Sequence, residues 1–316
     1  METIGSPALW ITFSAFVLVM LALDLGVFSR KPHEVHWREA LAWSTVWIAL
    51  AMIFNGWIYT RFGSEKALEF LTGYVIEKAL SVDNIFIFVV LFASFAVPKM
   101  YQHRVLFWGV LGAIVMRAVF IFLGAALLER FHWIMYVFGA ILIITGFRLL
   151  KQGDVEPHPE RNPIYKLAKR FIPAVPEYHG KSFWIIKEGR RYATPLLLVL
   201  IAIEATDLVF AVDSIPAIFA ITTDPFIVYT SNIFAILGLR ALYFLLAGVI
   251  DRFYLLKYGL ALVLLFVGFK MVAMGYIKIP IGVSLATIAS LLVLSVIASL
   301  IWPKRVSSPP LEDPRD

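Results

Sequence analysis

The chain has 316 residues, of which 60% are hydrophobic and only 16% are charged, and its mean hydropathy is +0.83. Soluble domains have roughly half apolar and a quarter charged residues, so the composition excludes a soluble globular class and indicates a membrane protein. The net charge of +6 arises from basic residues between the apolar segments, which indicates membrane topology rather than nucleic-acid binding. The absence of cysteine excludes disulfides, thiolate metal ligands and thiol catalysis.

Apolar segments long enough to cross a bilayer, which takes about 20 residues each, recur along the whole chain. They predict an all-α polytopic membrane protein with about nine transmembrane helices. The segments are 8–28, 40–60, 67–96, 104–128, 132–150, 194–221, 227–249, 254–275 and 280–302.

Lysine and arginine are distributed unevenly between the two sides of this predicted topology. With the N-terminus outside, the cytoplasmic segments hold 19 of them and the outer segments hold four. Because cytoplasmic loops are enriched in basic residues, the split predicts an outer N-terminus and a cytoplasmic C-terminus.

One long cytoplasmic loop is predicted over residues 151–193. Its proline- and histidine-rich first half is typical of a linker, and the basic stretch 165–171 would lie on the anionic inner leaflet unless the loop is a plain solvated connector. Residues 182–194 predict a small β-hairpin with a turn at Gly189. The tail, 303–316, is predicted to be disordered and cytoplasmic.

Four polar motifs occur twice, in the same order, and divide the chain into repeats. The pairs are Val82-Asp83-Asn84-Ile85 with Val212-Asp213-Ser214-Ile215, Met116-Arg117-Ala118 with Leu239-Arg240-Ala241, Glu129-Arg-Phe131 with Asp251-Arg-Phe253, and Gly146-Phe-Arg148 with Gly268-Phe-Lys270. Each unit contains three predicted spans, so the second unit enters the membrane from the opposite side. This pattern predicts the inverted repeats of secondary transporters, whose substrate sites lie near the membrane midplane.

The repeats define the predicted domain organisation. In chain order it comprises two N-terminal transmembrane helices (1–66), a first three-helix repeat (67–150), the cytoplasmic loop (151–193), a second three-helix repeat (194–275), a C-terminal transmembrane helix (276–302) and the tail (303–316).

Several carboxylates lie inside these apolar segments, where an ionisable residue is a functional-site hypothesis by default. They are Glu77, Asp83, Glu204, Asp207 and Asp213, with Asp24 nearer a segment end. We interpret Arg117 and Arg240 as the basic residues deep in the middle, acting as structural counter-charges. Structural ion pairing alone can account for two of the five carboxylates, so the remainder indicates a cation site.

Helical spacing sets which of these side chains share a face. Residues seven positions apart lie on the same helix face, so Glu77 shares a face with Asn84 and Asp207 shares one with Ser214. Asp83 and Asp213 lie about 120° around the helix from Glu77 and Asp207, respectively. Convergence on one ion therefore requires an unwound turn or ligands from both repeats. Pro216 could unwind the helix after Asp213.

The donor set suits a hard divalent cation. It combines carboxylates, an amide and hydroxyls, while all six histidines lie in or beside loops. Such ligands favour Mg²⁺, Ca²⁺ or Mn²⁺ over copper or zinc. The predicted metal ligands are Glu77, Asp83, Asn84, Asp207, Asp213 and Ser214, with Asp24 and Glu204 as additional candidates.

At these residues the chain resembles the TerC family, closest to its Alx branch. The resemblance is carried by Leu23-Asp24-Leu-Gly-Val-Phe28, Glu77-Lys-Ala-Leu-Ser-Val-Asp83-Asn84, Asp213-Ser-Ile-Pro216-Ala-Ile-Phe219-Ala and Thr230-Ser-Asn-Ile-Phe234-Ala-Ile-Leu-Gly-Leu-Arg240-Ala-Leu-Tyr243, within residues 8–302. It implies a bacterial inner-membrane protein associated with manganese export and, historically, tellurium resistance. The family's acidic motif then falls on Glu77, Asp83, Asn84, Asp207 and Asp213.

The resulting hypothesis is a metal-homeostasis transporter, not an enzyme, that exports Mn²⁺ as substrate and needs no cofactor. Proton coupling is expected because a divalent cation competes with protons for carboxylates. The expected partners are Mn²⁺ and the lipid bilayer, without nucleic acid, and a homo-oligomer is left open. Two alternatives remain: a tellurium-resistance protein without cation transport, and an intramembrane enzyme.

Overall fold

A computed structural model describes residues 3–28, 37–131, 133–151, 173–175, 177–187, 189–247, 253–274, 276–277 and 279–302, apart from the side chains of residues 24–28, 83, 86, 93 and 94. The fold is almost entirely helical. The helices are α1 (Pro7–Phe28), α2 (Trp37–Ser94), α3 (Lys99–Arg130), α4 (Ile134–Lys151), α5 (Pro195–Phe219), α6 (Pro225–Leu237), α7 (Leu239–Leu246), α8 (Leu256–Ala273) and α9 (Ile281–Ile301), and the strands are β1 (Trp184–Lys187) and β2 (Arg190–Ala193).

The longest helix, α2, folds back on itself at Gly63. A straight helix of its 58 residues would extend about 87 Å, roughly twice the thickness of a bilayer. Gly63 interrupts it with φ 90° and ψ 176°, a conformation that only glycine adopts readily. The rings of Phe54 and Phe70, on either side of the break, lie 5.3 Å apart, so the two arms form a hairpin.

The second arm of α2, residues 64–94, lies at the centre of the packed helices. It contacts α5, α6 and α7, while α3 packs on α5 and α6. Aromatic side chains fill the space between α1, the α2 hairpin and α6, where Phe234 contacts Phe13, Phe54 and Phe70 with centroids 5.0–6.0 Å away. These contacts bring residues from distant parts of the chain into one core.

The α4–α8 pair crosses with its backbones almost in contact. A Cβ on Gly268 would lie 2.9 Å from the carbonyl oxygen of Gly139, and a Cβ on Gly139 would lie 3.0 Å from that of Gly268. At a second close approach, a Cβ on Gly146 would lie 3.0 Å from the carbonyl oxygen of Ala261. Small residues on both helices are therefore what permits this crossing.

The helices coincide with the predicted apolar segments to within a few residues, and the outer surface is suited to lipid. Across the described residues, five helices are long and apolar enough to cross a membrane (α3, α4, α5, α8 and α9), and a sixth span results if α6 and α7, bent by 40° at Gly238, count as one. Large exposed hydrophobic side chains cover α1, α3, α4 and α9, including Ile11, Val119, Phe147 and Leu294. The protein is a multi-pass helical membrane protein, and nine crossings stay a prediction.

Helix α5 corrects the prediction of an unwound turn after Asp213. It continues through Pro216 to Phe219. The proline removes one hydrogen bond to the preceding turn, but its flanking residues Ile215 and Ala217 are buried in the core and the helix persists. The described break in this repeat lies instead at Gly238, between α6 and α7.

The sequence-predicted hairpin is confirmed by β1 and β2, which pair as antiparallel strands. The turn residue Gly189 has φ +74°, as a tight hairpin turn requires. The basic stretch 165–171, most of the linker and the tail 303–316 lie outside the described residues.

Candidate functional site

The buried arginine Arg117 joins helices of the two predicted repeats in the interior. Arg117 of α3 is 1% exposed, and its Nη1 donates to Glu77 Oε1 on the second arm of α2. On the other side, Arg117 Nη2 donates to Asp207 Oδ1 of α5 at 3.2 Å and Nε approaches Oδ2 at 3.5 Å. Glu77 is fully buried and Asp207 is 3% exposed, so two carboxylates share one guanidinium away from water.

Two neutral polar side chains complete this cluster. Arg117 Nη1 also lies 3.2 Å from Ser214 Oγ and 3.0 Å from Asn232 Oδ1. The amide of Asn232, on α6, donates from Nδ2 to Glu77 Oε2 at 3.0 Å. The arrangement uses the guanidinium's fixed donor directions to hold α2, α3, α5 and α6 together at one point.

Two further oxygens lie on the Glu77 face of α2. Ser81 and Asn84 follow Glu77 by four and seven residues, which places all three on one helix face. Ser81 Oγ and Asn84 Oδ1 are buried, and neither atom has a hydrogen-bond partner within the part of the chain that the structure describes. Buried polar atoms normally have hydrogen-bond partners. Ser81 Oγ and Asn84 Oδ1 are therefore free to hydrogen-bond or ligate another group.

The other acidic side chains of α5 face different neighbours. Asp213 accepts a hydrogen bond of 2.9 Å from Thr145 Oγ1 of α4, on the side of α5 that carries neither Asp207 nor Ser214. The carboxylate of the half-buried Glu204 lies against Gly112 of α3, where any Cβ would overlap it. The 120° separation predicted between Asp207 and Asp213 therefore divides them between two helix interfaces.

A lysine that the sequence interpretation overlooked lies at the break between α6 and α7. Lys78 follows Glu77 and is half-buried, so Arg117 and Arg240 are not the sole basic residues deep in the chain. Its Nζ donates to the Ala235 carbonyl oxygen at 3.2 Å and lies where a side chain on Gly238 would sit. The break frees last-turn carbonyls of α6, and the lysine satisfies one of them.

The remaining predicted site residues are only partly defined. Arg240 is 5% exposed on α7. Asp24 lies in α1 and Asp83 in α2, but their side chains fall outside the described residues. Among the side chains that are described, no group of three or more His, Asp and Glu residues is arranged to hold a metal ion. The proposed ligand set therefore stays a prediction, with Glu77, Asp207 and Ser214 gathered at Arg117.

Sequence reasoning also missed Asn232 and Thr145. Asn232 belongs to the polar triplet Thr230-Ser231-Asn232 within an apolar helix, and this triplet was a usable signal. Thr145 has no such signal, because a single threonine in an apolar helix usually bonds to its own backbone.

Comparison with known proteins extends along nearly the whole chain. The family model described as "Integral membrane protein TerC family" matches residues 62–307. An "Uncharacterized membrane protein STKORF319" of Myxococcus xanthus is 54% identical over 318 residues, covering 100% of both chains. The "Putative membrane-bound redox modulator Alx" of Escherichia coli K12 is 48% identical over 306 residues, covering 94% of this chain and 95% of that protein.

A third relative is an "Uncharacterized membrane protein" of Rickettsia bellii, 43% identical over 292 residues, which cover 92% of this chain and 97% of the relative. No solved structure matches the chain. The family match and these identities confirm the resemblance seen in the acidic motifs. The chain belongs to the TerC family of integral membrane proteins, and its relatives include proteins named Alx.

Proposed function

We propose that this protein exports Mn²⁺ across the bacterial inner membrane in exchange for protons. The observation that carries the proposal is the pairing of Glu77 and Asp207 on Arg117. These carboxylates precede Asp83 and Asp213 by the same six residues in the two repeats, and they meet in the interior. Substrate sites of secondary transporters lie at such repeat interfaces.

Support for inverted repeats comes from the α4–α8 crossing. The motif match makes Gly146 of the first repeat equivalent to Gly268 of the second. The same spacing along the chain makes Gly139 equivalent to Ala261. The close approach between Gly139 and Gly268 then maps onto the one between Gly146 and Ala261 when the two repeats are exchanged. A two-fold axis relating the repeats requires this correspondence.

Charge and ligand chemistry support a divalent cation as the substrate. Five carboxylates (Glu77, Asp83, Glu204, Asp207 and Asp213) outnumber the basic residues that the described structure places near them, which are Lys78, Arg117 and Arg148. The buried oxygens of Ser81 and Asn84 add neutral ligands beside Glu77. Hard oxygen donors of this kind suit Mn²⁺, and the family resemblance selects Mn²⁺ over Ca²⁺ and Mg²⁺.

The topology that we propose has nine spans, with the N-terminus outside and the C-terminus in the cytoplasm. The distribution of basic residues supports it, because the side that would face the cytoplasm carries 19 lysines and arginines against four on the other side.

Two other functions are less well supported. A thiol-based redox role, which the name of the Alx relatives could suggest, would need cysteine, and the chain contains none. An intramembrane aspartyl protease needs two carboxylates that share a proton, whereas Glu77 and Asp207 are each bound to Arg117.

The test is Mn²⁺ movement in proteoliposomes that contain a Mn²⁺-sensitive dye. Asp83→Asn and Asp213→Asn should each abolish the flux while the protein stays in the membrane, since each removes a proposed ligand and reduces the charge that must be inserted. The matched control is Glu65→Gln, which changes an exposed carboxylate beside the Gly63 break and should leave transport normal. Full transport by either aspartate variant would contradict the ligand assignment.

Proton exchange is tested in the same vesicles with a pH-sensitive dye. An imposed pH gradient should drive Mn²⁺ uphill, and Mn²⁺ movement should carry protons in the opposite direction. If Mn²⁺ crosses without proton counterflow and ignores the imposed gradient, the protein is a channel or uniporter rather than an exchanger.

A further inference from the structure

The β1–β2 hairpin presents two large apolar side chains, Trp184 and Ile186, that the described part of the chain leaves exposed. Its register pairs Ile186 with Arg191 and Trp184 with Ala193. Because side chains alternate along a strand, Trp184, Ile186 and Arg191 share one face. Trp184 is 49% exposed and Ile186 is 72% exposed, whereas Ile185 on the opposite face is half-buried.

Contacts with three helix ends hold this hairpin in place. Thr194, immediately before α5, donates from Oγ1 to the Ser182 carbonyl oxygen at 2.6 Å. The Arg104 guanidinium, in the first turns of α3, lies 5.1 Å from the ring centre of Phe183. The Tyr178 hydroxyl donates to the Phe95 carbonyl oxygen at 2.5 Å, just beyond the end of α2. The hairpin is therefore fixed beside the ends of helices α2, α3 and α5.

The same segment is strongly basic. Residues 181–193 carry Lys181, Lys187, Arg190 and Arg191 against the single acidic Glu188. The side chains of Lys187, Arg190 and Arg191 are exposed. Arg191 lies on the same face as the exposed Trp184 and Ile186, a combination that matches the chemistry of a negatively charged membrane surface.

We propose that this hairpin face binds the headgroups of anionic phospholipids, in the leaflet where α2 ends and α3 and α5 begin. Trp184 lies at the headgroup level, Ile186 enters the boundary with the acyl chains, and Arg191 on the same face attracts the phosphates. Lys187 and Arg190 lie on the opposite face and add to the positive charge of the hairpin. The surface would anchor the start of α5 to the bilayer. This lipid-binding proposal does not depend on which ion the protein transports.

The absence of cysteine allows a direct test with the full-length protein in nanodiscs. Ile186→Cys, labelled with an environment-sensitive fluorophore, reports on the proposed face, and Ile185→Cys reports on the opposite face as a matched control. The discs contain phosphatidylcholine alone or with phosphatidylglycerol, and a trace of lipid with a nitroxide on its headgroup serves as the quencher. Thermal unfolding checks that both labelled variants are folded.

The label at position 186 should be quenched by the nitroxide lipid, more strongly with phosphatidylglycerol, and the label at 185 should not. Removing charge by Arg191→Gln should weaken the preference for anionic lipid about fivefold, which corresponds to ~1 kcal/mol per basic residue at an anionic surface. Quenching at 186 by aqueous iodide instead of the nitroxide would show that the face is free in water. Protection from both quenchers would show that protein covers it. Either result overturns the proposal.

Discussion

Replacing Arg117 with alanine should destabilise the whole protein, because one side chain satisfies two buried carboxylates. The change removes five hydrogen bonds, three from Nη1 and one each from Nη2 and Nε. It leaves Glu77, fully buried, and Asp207, 3% exposed, without their shared counter-charge. Breaking a buried ion pair from one side costs about 3–5 kcal/mol. A loss of that size lowers the Tm of a 316-residue protein by about 5–8 °C.

The assay is thermal unfolding of the detergent-solubilised protein, followed by intrinsic fluorescence. Arg130→Ala, an exposed arginine at the end of the same helix, is the matched control and should leave the Tm within about 1 °C of the wild type, as surface substitutions usually do. Combining Arg117→Ala with Asp207→Asn should recover part of the lost stability, since it removes one stranded charge.

Two results would refute this reasoning. An Arg117→Ala protein with the Tm of the wild type would show that the guanidinium does not compensate buried charge. Strictly additive effects of the Arg117 and Asp207 substitutions would show that the two side chains do not interact, because contacting residues normally couple by about 0.5–3 kcal/mol.

Two glycine substitutions test close approaches in the interior. Gly112→Ala should displace the Glu204 carboxylate from α3 and lower the initial rate of the proposed Mn²⁺ transport with little loss of stability, because the clash is with the end of a flexible side chain; an unchanged rate would mean that the position of Glu204 is unimportant. Gly268→Ala should force α4 and α8 apart at Gly139 and lower the unfolding free energy by about 1–3 kcal/mol, measured by thermal unfolding. The control for both is Gly56→Ala, which meets nothing within 4 Å and should not destabilise the protein.

Most helices could be located from the sequence because apolar length alone defines them. The hairpin was also predictable, since Gly189 separates two short runs with strand-forming side chains. The break at Gly63 falls between the predicted segments 40–60 and 67–96, as expected. The bend at Gly238 was not predicted, because a single glycine inside the apolar segment 227–249 is compatible with a straight helix as well as with a hinge.

Contacts within the candidate site were harder to predict than its residues. The repeat pattern and the helical spacing identified Glu77, Asp207 and Ser214, but only the packing of α3 against α5 brings them to one arginine. Lys78 was overlooked because its partner is not a neighbour in the sequence. Its actual contact is a carbonyl 157 residues away, exposed by a helix break that apolarity does not reveal.

The position of Arg117 between its two partners also has a consequence for biosynthesis. Glu77 precedes it by 40 residues and Asp207 follows it by 90, so the first carboxylate is available when α3 leaves the ribosome and the second is not. An arginine at the centre of a membrane helix costs about 2.5–3.5 kcal/mol on insertion scales, and early pairing with Glu77 would offset that cost. We therefore expect insertion of α3 in truncated nascent chains to depend on Glu77 and not on α5. A glycosylation-mapping experiment in which Glu77→Gln leaves α3 insertion unchanged would contradict this order of assembly.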